Sequence, residues 1–249
     1  MALITEEDAR RMSDNGARGP VVVARGDVLT PGARDWLSAH KVEVVYPQGK
    51  PAEEAGEGPS APRYRTLFGA ALGEKPEHMT HLKENILVFK DHPRIAFRGK
   101  IDALEAEILL TQRAAAGEGY HGLTAELEEV LAFVRRYIRF DVLDEPVGEI
   151  RLCGYSADEL RELSHYPERH FGQGHFLPRW EDGPALLAVN RLRTAVRQTE
   201  LAAYAAFRDA DGNVTRGDMI LGLNRLSSLM WIMMIKLKAG KYERTDHNS

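Results

Sequence analysis

The sequence predicts a mainly α protein, an antiparallel helical bundle that carries a small N-terminal α/β module. Two observations predict this class. After Pro62, apolar residues recur three or four positions apart in several long segments, which is typical of packed helices. Before Pro47, short β-branched runs flank a single helical segment. We therefore predict an α/β module at 1–47, a flexible linker at 48–62 and a helical bundle at 63–249.

The N-terminal module is predicted as strand, helix, strand. The run PVVVARGDVL is rich in β-branched residues, and VEVVY forms a second such run. Between them, Thr30 is predicted to cap a helix with Pro31 in its first position, where a missing N–H has no cost. The segment PQGKPAEEAGEGPSAP that follows is too poor in apolar side chains to order itself.

Five helices are predicted after the linker. The first runs from Pro93 to Gly117, and Thr124 caps the second. Ser156 and Glu159 have the spacing of a capping box at the start of the third helix.

The fourth helix starts at Gly183 and Pro184 and extends to Phe207, and Thr215 and Asp218 start the fifth. The sequence shows few strand signals beyond the linker.

The composition excludes several classes of protein. Of 249 residues, 43% are hydrophobic and 28% charged, as in a globular protein. With 33 Lys and Arg against 37 Asp and Glu, the net charge of −4 argues against a nucleic-acid partner. The single cysteine, Cys153, excludes an intramolecular disulfide and a thiolate zinc site. The first residues lack the apolar stretch of a signal peptide, and polar residues interrupt 219–237, so we expect a cytoplasmic protein without a membrane partner.

Charged side chains lie on the helices where a bundle should be apolar. Asp102 lies two turns from Leu109 on the same face of its helix, and we expect this apolar face to pack. A carboxylate near the packed side needs a cation. On the fourth helix, Arg193, Arg197 and Glu200 follow one stripe. Two guanidiniums one turn apart suit a triphosphate or a carboxylate.

The fifth helix carries a polar cluster on an apolar background. Asn224, Ser228 and Trp231 share one side, with Arg225 next to them. Buried amides need partners, either a ligand or a neighbouring helix. The structural alternative stays open here, because Asp102 and Arg193 can form an interhelical ion pair and Asn224 can be a core amide.

No metal or nucleotide motif of a common type is present. His165, His170 and His175 are five residues apart, which does not match the HExxH spacing, so no metal ligand is predicted. The sequence shows no Walker phosphate loop and no convincing dinucleotide fingerprint.

Several long segments resemble a known family. NRLRTAVRQTE and LNRLSSLMWIMM resemble the two signature helices of ATP:cob(I)alamin adenosyltransferases of the propanediol-utilisation class, and KDHPRIAFRGKIDALEAEI resembles their first bundle helix. ITEEDAR, LTPGARDWL, MTHL and LSHYPERHF are similar to the ethanolamine-utilisation members of that family. These segments follow one another along nearly the whole chain.

The resemblance implies a transferase that moves the 5′-deoxyadenosyl group of ATP to cob(I)alamin, giving adenosylcobalamin and triphosphate for ethanolamine utilisation. It implies ATP and cobalamin as substrates, Mg²⁺ as a cofactor, and a homo-oligomer with active sites between subunits. An electron-donor flavoprotein and association with a bacterial microcompartment stay open. Two alternative functions also stay open: a non-catalytic corrinoid-binding or delivery protein, and a microcompartment scaffold.

The resemblance also assigns roles to residues. Asp102 matches an aspartate that pairs with Arg193 at the subunit interface, and Arg197 matches an arginine that contacts ATP phosphates. These three are the implied catalytic residues. The other implied nucleotide contacts are Glu200, Asn224, Arg225, Thr80, His81, Lys83 and Lys90.

Four further features concern the corrinoid site, the metal site and two motifs of the family. Phe176, with His175 as its competitor, is the candidate that blocks the lower face of cobalt, although Phe176 also suits an ordinary core position. The cysteine cluster that binds a metal in many ethanolamine-type members is absent here. The glycine-rich phosphate loop of the propanediol class is absent as well, and Ser228 replaces an aspartate of the NRLSD motif.

Overall fold

The computed structural model describes residues 3–14, 20–24, 27–45 and 63–245. They belong to two compact units, Met1–Lys75 and Pro76–Ser249. This division falls after Lys75, whereas the prediction placed it after residue 62, and the predicted linker lies outside the described residues.

In its described residues, the first unit combines two parallel strand pairs, two helices and a hairpin. β1 (Leu3–Ile4) pairs with β3 (Val28–Leu29), and β2 (Val21–Val22) pairs with β4 (Val44–Val45). The two helices that pack together are α1 (Glu6–Asp14) and α2 (Pro31–Ala39). The antiparallel hairpin consists of β5 (Tyr64–Thr66) and β6 (Ala71–Leu72). As predicted, Thr30 caps α2, its hydroxyl accepting from the N–H of Ala33 at 3.2 Å.

The second unit is the helical bundle. An antiparallel hairpin precedes it, formed by β7 (Met79–Lys83) and β8 (Ile86–Phe89). The remaining elements are, in chain order, α3 (Pro93–Gly117), α4 (His121–Val142), β9 (Arg151–Leu152), β10 (Tyr155–Ser156), α5 (Ala157–His165), α6 (Pro167–Phe171), α7 (Pro184–Phe207) and α8 (Gly217–Lys238). α7 packs between α3 and α8, and α8 also packs on α4 and α5. The predicted mainly α fold is confirmed.

Local chemistry explains several of these boundaries. α3 and α7 end where the sequence predicts, and Ser156 and Glu159 form the predicted capping box of α5. Two predicted caps are wrong. Thr124 lies inside α4 and donates to the carbonyl of Tyr120, while Thr215 precedes α8 and donates to the carbonyl of Phe207. The strands β7 and β8 were not predicted.

α8 is a core helix of the bundle. Length and composition alone would allow it to cross a membrane, but most of its apolar side chains are buried in the bundle. It lies close to α4 at Gly222, where a Cβ atom would stand 2.3 Å from the hydroxyl oxygen of Tyr137. That hydroxyl donates to the carbonyl of Met219 at 3.1 Å. Glycine is therefore required for the close approach of the two helices.

A buried ion cluster joins β7, α3 and α4. The fully buried carboxylate of Asp141 accepts from Nε of Arg94 at 2.7 Å and from Nε of Arg98 at 2.5 Å. Arg98 also donates to the carbonyls of His81 and Leu82 in β7. A buried charge is tolerated when it is paired and hydrogen-bonded in this way.

Candidate functional site

A cleft of about 610 Å³ opens over one side of α8. We call it the arginine cleft, because Arg161, Arg193, Arg197 and Arg225 line it. α8 forms its floor, and α5 and α7, which both supply lining residues, form its walls. The uncharged floor residues are Leu221, Asn224, Ser227, Ser228 and Trp231. Among the described residues, no carboxylate belongs to the lining.

The α7 wall carries the predicted guanidinium pair. Arg193 is half-buried, donates to the side-chain oxygen of Asn190 at 3.1 and 3.3 Å, and lies 5.8 Å from the ring centre of Trp231. Partial burial, and then repulsion from Arg197, lowers the pKa of Arg193 from its usual value. Arg197, one turn further on, is exposed. The structure thus brings both guanidiniums into one cleft, as the helical spacing predicts.

Asp102 does not lie where the sequence analysis expects it. Its side chain is exposed on α3, because the packed face of that helix is formed by Ile101, Leu104 and neighbours one turn away. Within the described part of the chain, Arg193 bonds to Asn190 and no ion pair joins it to Asp102. The expected position near the packed side is wrong. The pairing of Asp102 with Arg193 of another subunit stays a prediction.

On the floor, a short hydrogen-bond chain fixes the polar cluster. Nδ2 of Asn224 donates to Glu200 at 2.9 Å, and Arg225 donates to Oδ1 of Asn224 at 2.7 Å. Nε of Arg225 is buried without a hydrogen-bond partner. Asn224, Ser228 and Trp231 face the cleft together, as predicted. Glu200 therefore acts on the cleft through the amide of Asn224.

Trp231 links the cleft to the loop after α6. Its Nε1–H donates to Nδ1 of His175 at 3.2 Å, so the ring proton of His175 lies on Nε2, which is 3.4 Å from the carbonyl of His165. Phe176 stacks on Trp231 at 5.3 Å and packs against the core. Of the two corrinoid candidates, His175 lines the cleft and Phe176 lies beside it.

The candidates in and near β7 lie apart from this cleft. Lys83 forms an ion pair with Asp144, and Lys90 with Glu77. His81 is buried and Thr80 half-buried in β7. None of the four belongs to the cleft lining of the single chain. Their assignment as nucleotide contacts stays a prediction.

The α5 wall was missed in the sequence analysis. Arg161, Ser164 and His165 line the cleft. The sequence predicts the capping box of α5 and rejects His165 as a metal ligand, but it assigns no role in the site to these three residues. Their spacing of three and four residues places all three on one helical face, and this polar face was the available signal.

The sequence of the chain is similar to those of known corrinoid adenosyltransferases. The family model for cobalamin adenosyltransferases matches residues 71–237. The corrinoid adenosyltransferase EutT of Salmonella typhimurium is 31% identical over 231 residues, covering 87% of this chain and 85% of that protein. EutT of Escherichia coli K12 is 35% identical over 221 residues, which cover 83% of this chain and 81% of that protein.

A solved structure shares the fold. It is a variant of a PduO-type ATP:corrinoid adenosyltransferase from Lactobacillus reuteri, complexed with cobalamin and ATP, with 16% identity and a TM-score of 0.51. The match covers 70% of this chain and 96% of that one. The family model matches more than half of the chain, and the EutT relatives are 31% and 35% identical over most of it, so the protein belongs to the cobalamin adenosyltransferase family.

Proposed function

We propose that this chain is a corrinoid adenosyltransferase that transfers the 5′-deoxyadenosyl group of ATP to the cobalt of a reduced corrinoid. The observation that carries the proposal is the arginine cleft, in which four guanidiniums meet without a carboxylate among the described lining residues. Such a cleft suits a polyanion, because planar guanidiniums bind phosphate oxygens with paired hydrogen bonds. The EutT relatives, similar over most of their length, supply the reaction.

The reaction assigns distinct tasks to the residues of the cleft. A bond forms between cobalt and the 5′ carbon as the bond from that carbon to oxygen breaks, and the triphosphate leaves with the electron pair. Arg193 and Arg197 hold the triphosphate and stabilise its growing charge. Asn190 and Trp231 fix the direction of Arg193. Because the nucleophile is the cobalt itself, the protein contributes placement and electrostatics rather than a general base.

Mg²⁺ fits this cleft as an ion that arrives with ATP. Protein sites for Mg²⁺ use one or two carboxylates together with substrate phosphates. The described lining offers only the hydroxyls of Ser164, Ser227 and Ser228 and the amide of Asn224 as side-chain oxygen donors. Phosphate oxygens and water would therefore supply most ligands, and Ser227 and Ser228 are the hydroxyls that the floor offers.

We further propose a homo-oligomer with active sites between subunits, in which Asp102 pairs with Arg193 of a second copy. The exposure of Asp102 supports this pairing. So do the exposed apolar side chains on α3 and α7, which are Leu109, Leu110, Leu201 and Tyr204. A role in ethanolamine utilisation is proposed because the relatives are EutT proteins. A cytoplasmic location, association with a microcompartment and a flavoprotein as electron donor stay predictions from the resemblance.

The test is to mix the purified protein with ATP, Mg²⁺ and chemically reduced cobalamin and to follow adenosylcobalamin by its absorption spectrum. We expect product from the wild type and a large loss in Arg193→Ala. Arg191→Ala is the matched control, because Arg191 lies on the same helix but pairs with Glu107 at 2.6 Å outside the cleft. Corrinoid binding without any product would support the alternative, a non-catalytic corrinoid-binding protein.

A further inference from the structure

The α5 wall of the arginine cleft carries a guanidinium that the roles assigned so far do not use. Arg161 is exposed and lines the cleft, and no ion pair or hydrogen bond engages its guanidinium within the described residues. Its backbone carbonyl accepts from the hydroxyl of Ser164 at 2.9 Å. This wall is held in place, because the capping box of α5 fixes its first turn and Leu160 is fully buried.

Of the three acidic residues within three positions of Arg161, two are engaged elsewhere. The third, Asp158, is exposed and forms no ion pair with Arg161 within the described residues. Glu159 accepts from the backbone N–H and the hydroxyl of Ser156. Glu162 lies 3.5 Å from Nε2 of His170. Elsewhere in the bundle, arginines such as Arg98 and Arg216 pair with aspartates. Within the described residues, no carboxylate pairs with the guanidinium of Arg161, which lines the cleft.

Arg161 shares that cleft with the α7 guanidiniums. α8 forms the floor between α5 and α7, so Arg161 lies on one wall and Arg193 and Arg197 on the other. Positive charges on two walls repel one another, and an anion bound between them offsets this repulsion by attracting both. A chain of three phosphates bears enough charge and enough oxygens to meet donors from both sides.

We propose that Arg161 binds the triphosphate of the nucleotide from the wall opposite Arg193 and Arg197. The inference rests on the proposed function and adds a second wall to its nucleotide site. The α5 guanidinium meets phosphate oxygens that Arg193 and Arg197 do not reach, and it shares the charge that accumulates on the leaving group. Arg161 is then a substrate-binding residue of the transfer reaction.

The experiment measures binding of inorganic tripolyphosphate to the full chain by titration calorimetry, without corrinoid. We expect Arg161→Gln to weaken this binding about tenfold or more, as for the loss of a charge-assisted hydrogen bond. Arg161→Lys keeps the charge but loses the paired N–H donors of the guanidinium, so its affinity for tripolyphosphate should lie between those of the wild type and Arg161→Gln. Arg169→Gln is the control, because Arg169 is an exposed arginine of the neighbouring α6 that stacks on Tyr166 outside the cleft lining.

The outcomes separate this inference from the proposed function. Wild-type affinity in both Arg161→Gln and Arg161→Lys, with adenosylcobalamin still formed, overturns the role of Arg161 and leaves the transferase intact. The role also fails if Arg161→Gln weakens binding of cobalamin but not of tripolyphosphate, since the anion would then be the corrinoid's phosphodiester. A wild type that binds no tripolyphosphate and forms no product overturns both. Because Arg161 is exposed, its variants should unfold at the wild-type temperature.

Discussion

The two guanidiniums of the α7 wall differ in how firmly the protein holds them. Arg193 is half-buried between Asn190 and Trp231, whereas Arg197 is exposed and no hydrogen bond or ion pair engages it in the described part of the chain. An exposed side chain without partners contributes little to folding. Its contribution, on the proposed function, is made only when a polyphosphate is bound.

Arg197→Ala should therefore separate activity from stability. We expect kcat/KM for ATP to fall by about tenfold or more, because a charge-assisted contact to phosphate is lost. The free energy of unfolding should change by about 0.5 kcal/mol or less. Steady-state kinetics and urea denaturation measure the two quantities. Equal losses of turnover and stability would instead support a structural role.

His92 gives the protein a pH-dependent stability. It caps α3, and its Nδ1 accepts from the N–H of Arg94 at 3.2 Å. Burial, followed by the charges of Arg94 and Arg98, lowers the pKa of His92 in the folded state. The unfolded chain then takes up the proton first, so the stability that His92 contributes is present above about pH 6.5 and is lost as the pH falls.

The variant His92→Asn tests this dependence. Asparagine keeps a side-chain acceptor for the N-cap but does not titrate. We expect wild-type stability, measured by urea denaturation at pH 7.5 and pH 5.5, to decline more steeply than that of the variant. An identical decline in both proteins would show that other groups control the acid sensitivity.

At the level of elements, Asp141 joins the start of α3, the end of α4 and the strand β7. Removing its charge leaves two guanidiniums without their shared carboxylate. We expect Asp141→Asn to lower the free energy of unfolding by about 3–5 kcal/mol. Asp144→Asn is the control, because that carboxylate is exposed and its pair with Lys83 should contribute about 1 kcal/mol or less. A small change in the free energy of unfolding for Asp141→Asn would show that the ion cluster contributes little to holding these elements together.

The sequence predicted those elements whose ends depend on local chemistry. The capping box of α5, Pro93 at the start of α3 and Pro184 at the start of α7 all act within one turn. Thr215 misled the prediction, because its hydroxyl bonds to a carbonyl at the end of α7 rather than to its own helix. β7 was not predicted although it pairs locally with β8 across the two-residue turn Glu84–Asn85, because that turn has no glycine and Glu84 itself adopts the positive φ.

The site was predictable where its residues share a helix. The stripe of Arg193 and Arg197 follows directly from spacing, and so does the common side of Asn224 and Trp231 on α8. Arg161 was not predicted. Its spacing to Ser164 and His165 shows that the three share one face of α5, but not that this face turns toward α8 and the cleft.

For the whole molecule, the exposed apolar side chains of α3 predict self-association. Leu109 is 50% exposed and lies on the same meridian as Asp102. We expect Leu109→Glu to lower the mass measured by light scattering and to reduce adenosyltransferase activity, because it places a charge in a subunit interface. Val214→Glu, at an exposed turn between α7 and α8, is the control. An unchanged mass for Leu109→Glu would contradict an interface at this position.

The absent side chain of Gly222 has a consequence that reaches the substrates. Gly222 is on the side of α8 opposite to Asn224 and Trp231, where it touches Tyr137 of α4. A methyl group at 222 would force α8 away from α4 or rotate it about its axis, and every floor residue would move with it. The position of the cleft floor, and on the proposed function that of the nucleotide, thus depends on Gly222 and Tyr137, two residues outside the cleft lining. An assay would register a change at either of them as a defect in catalysis.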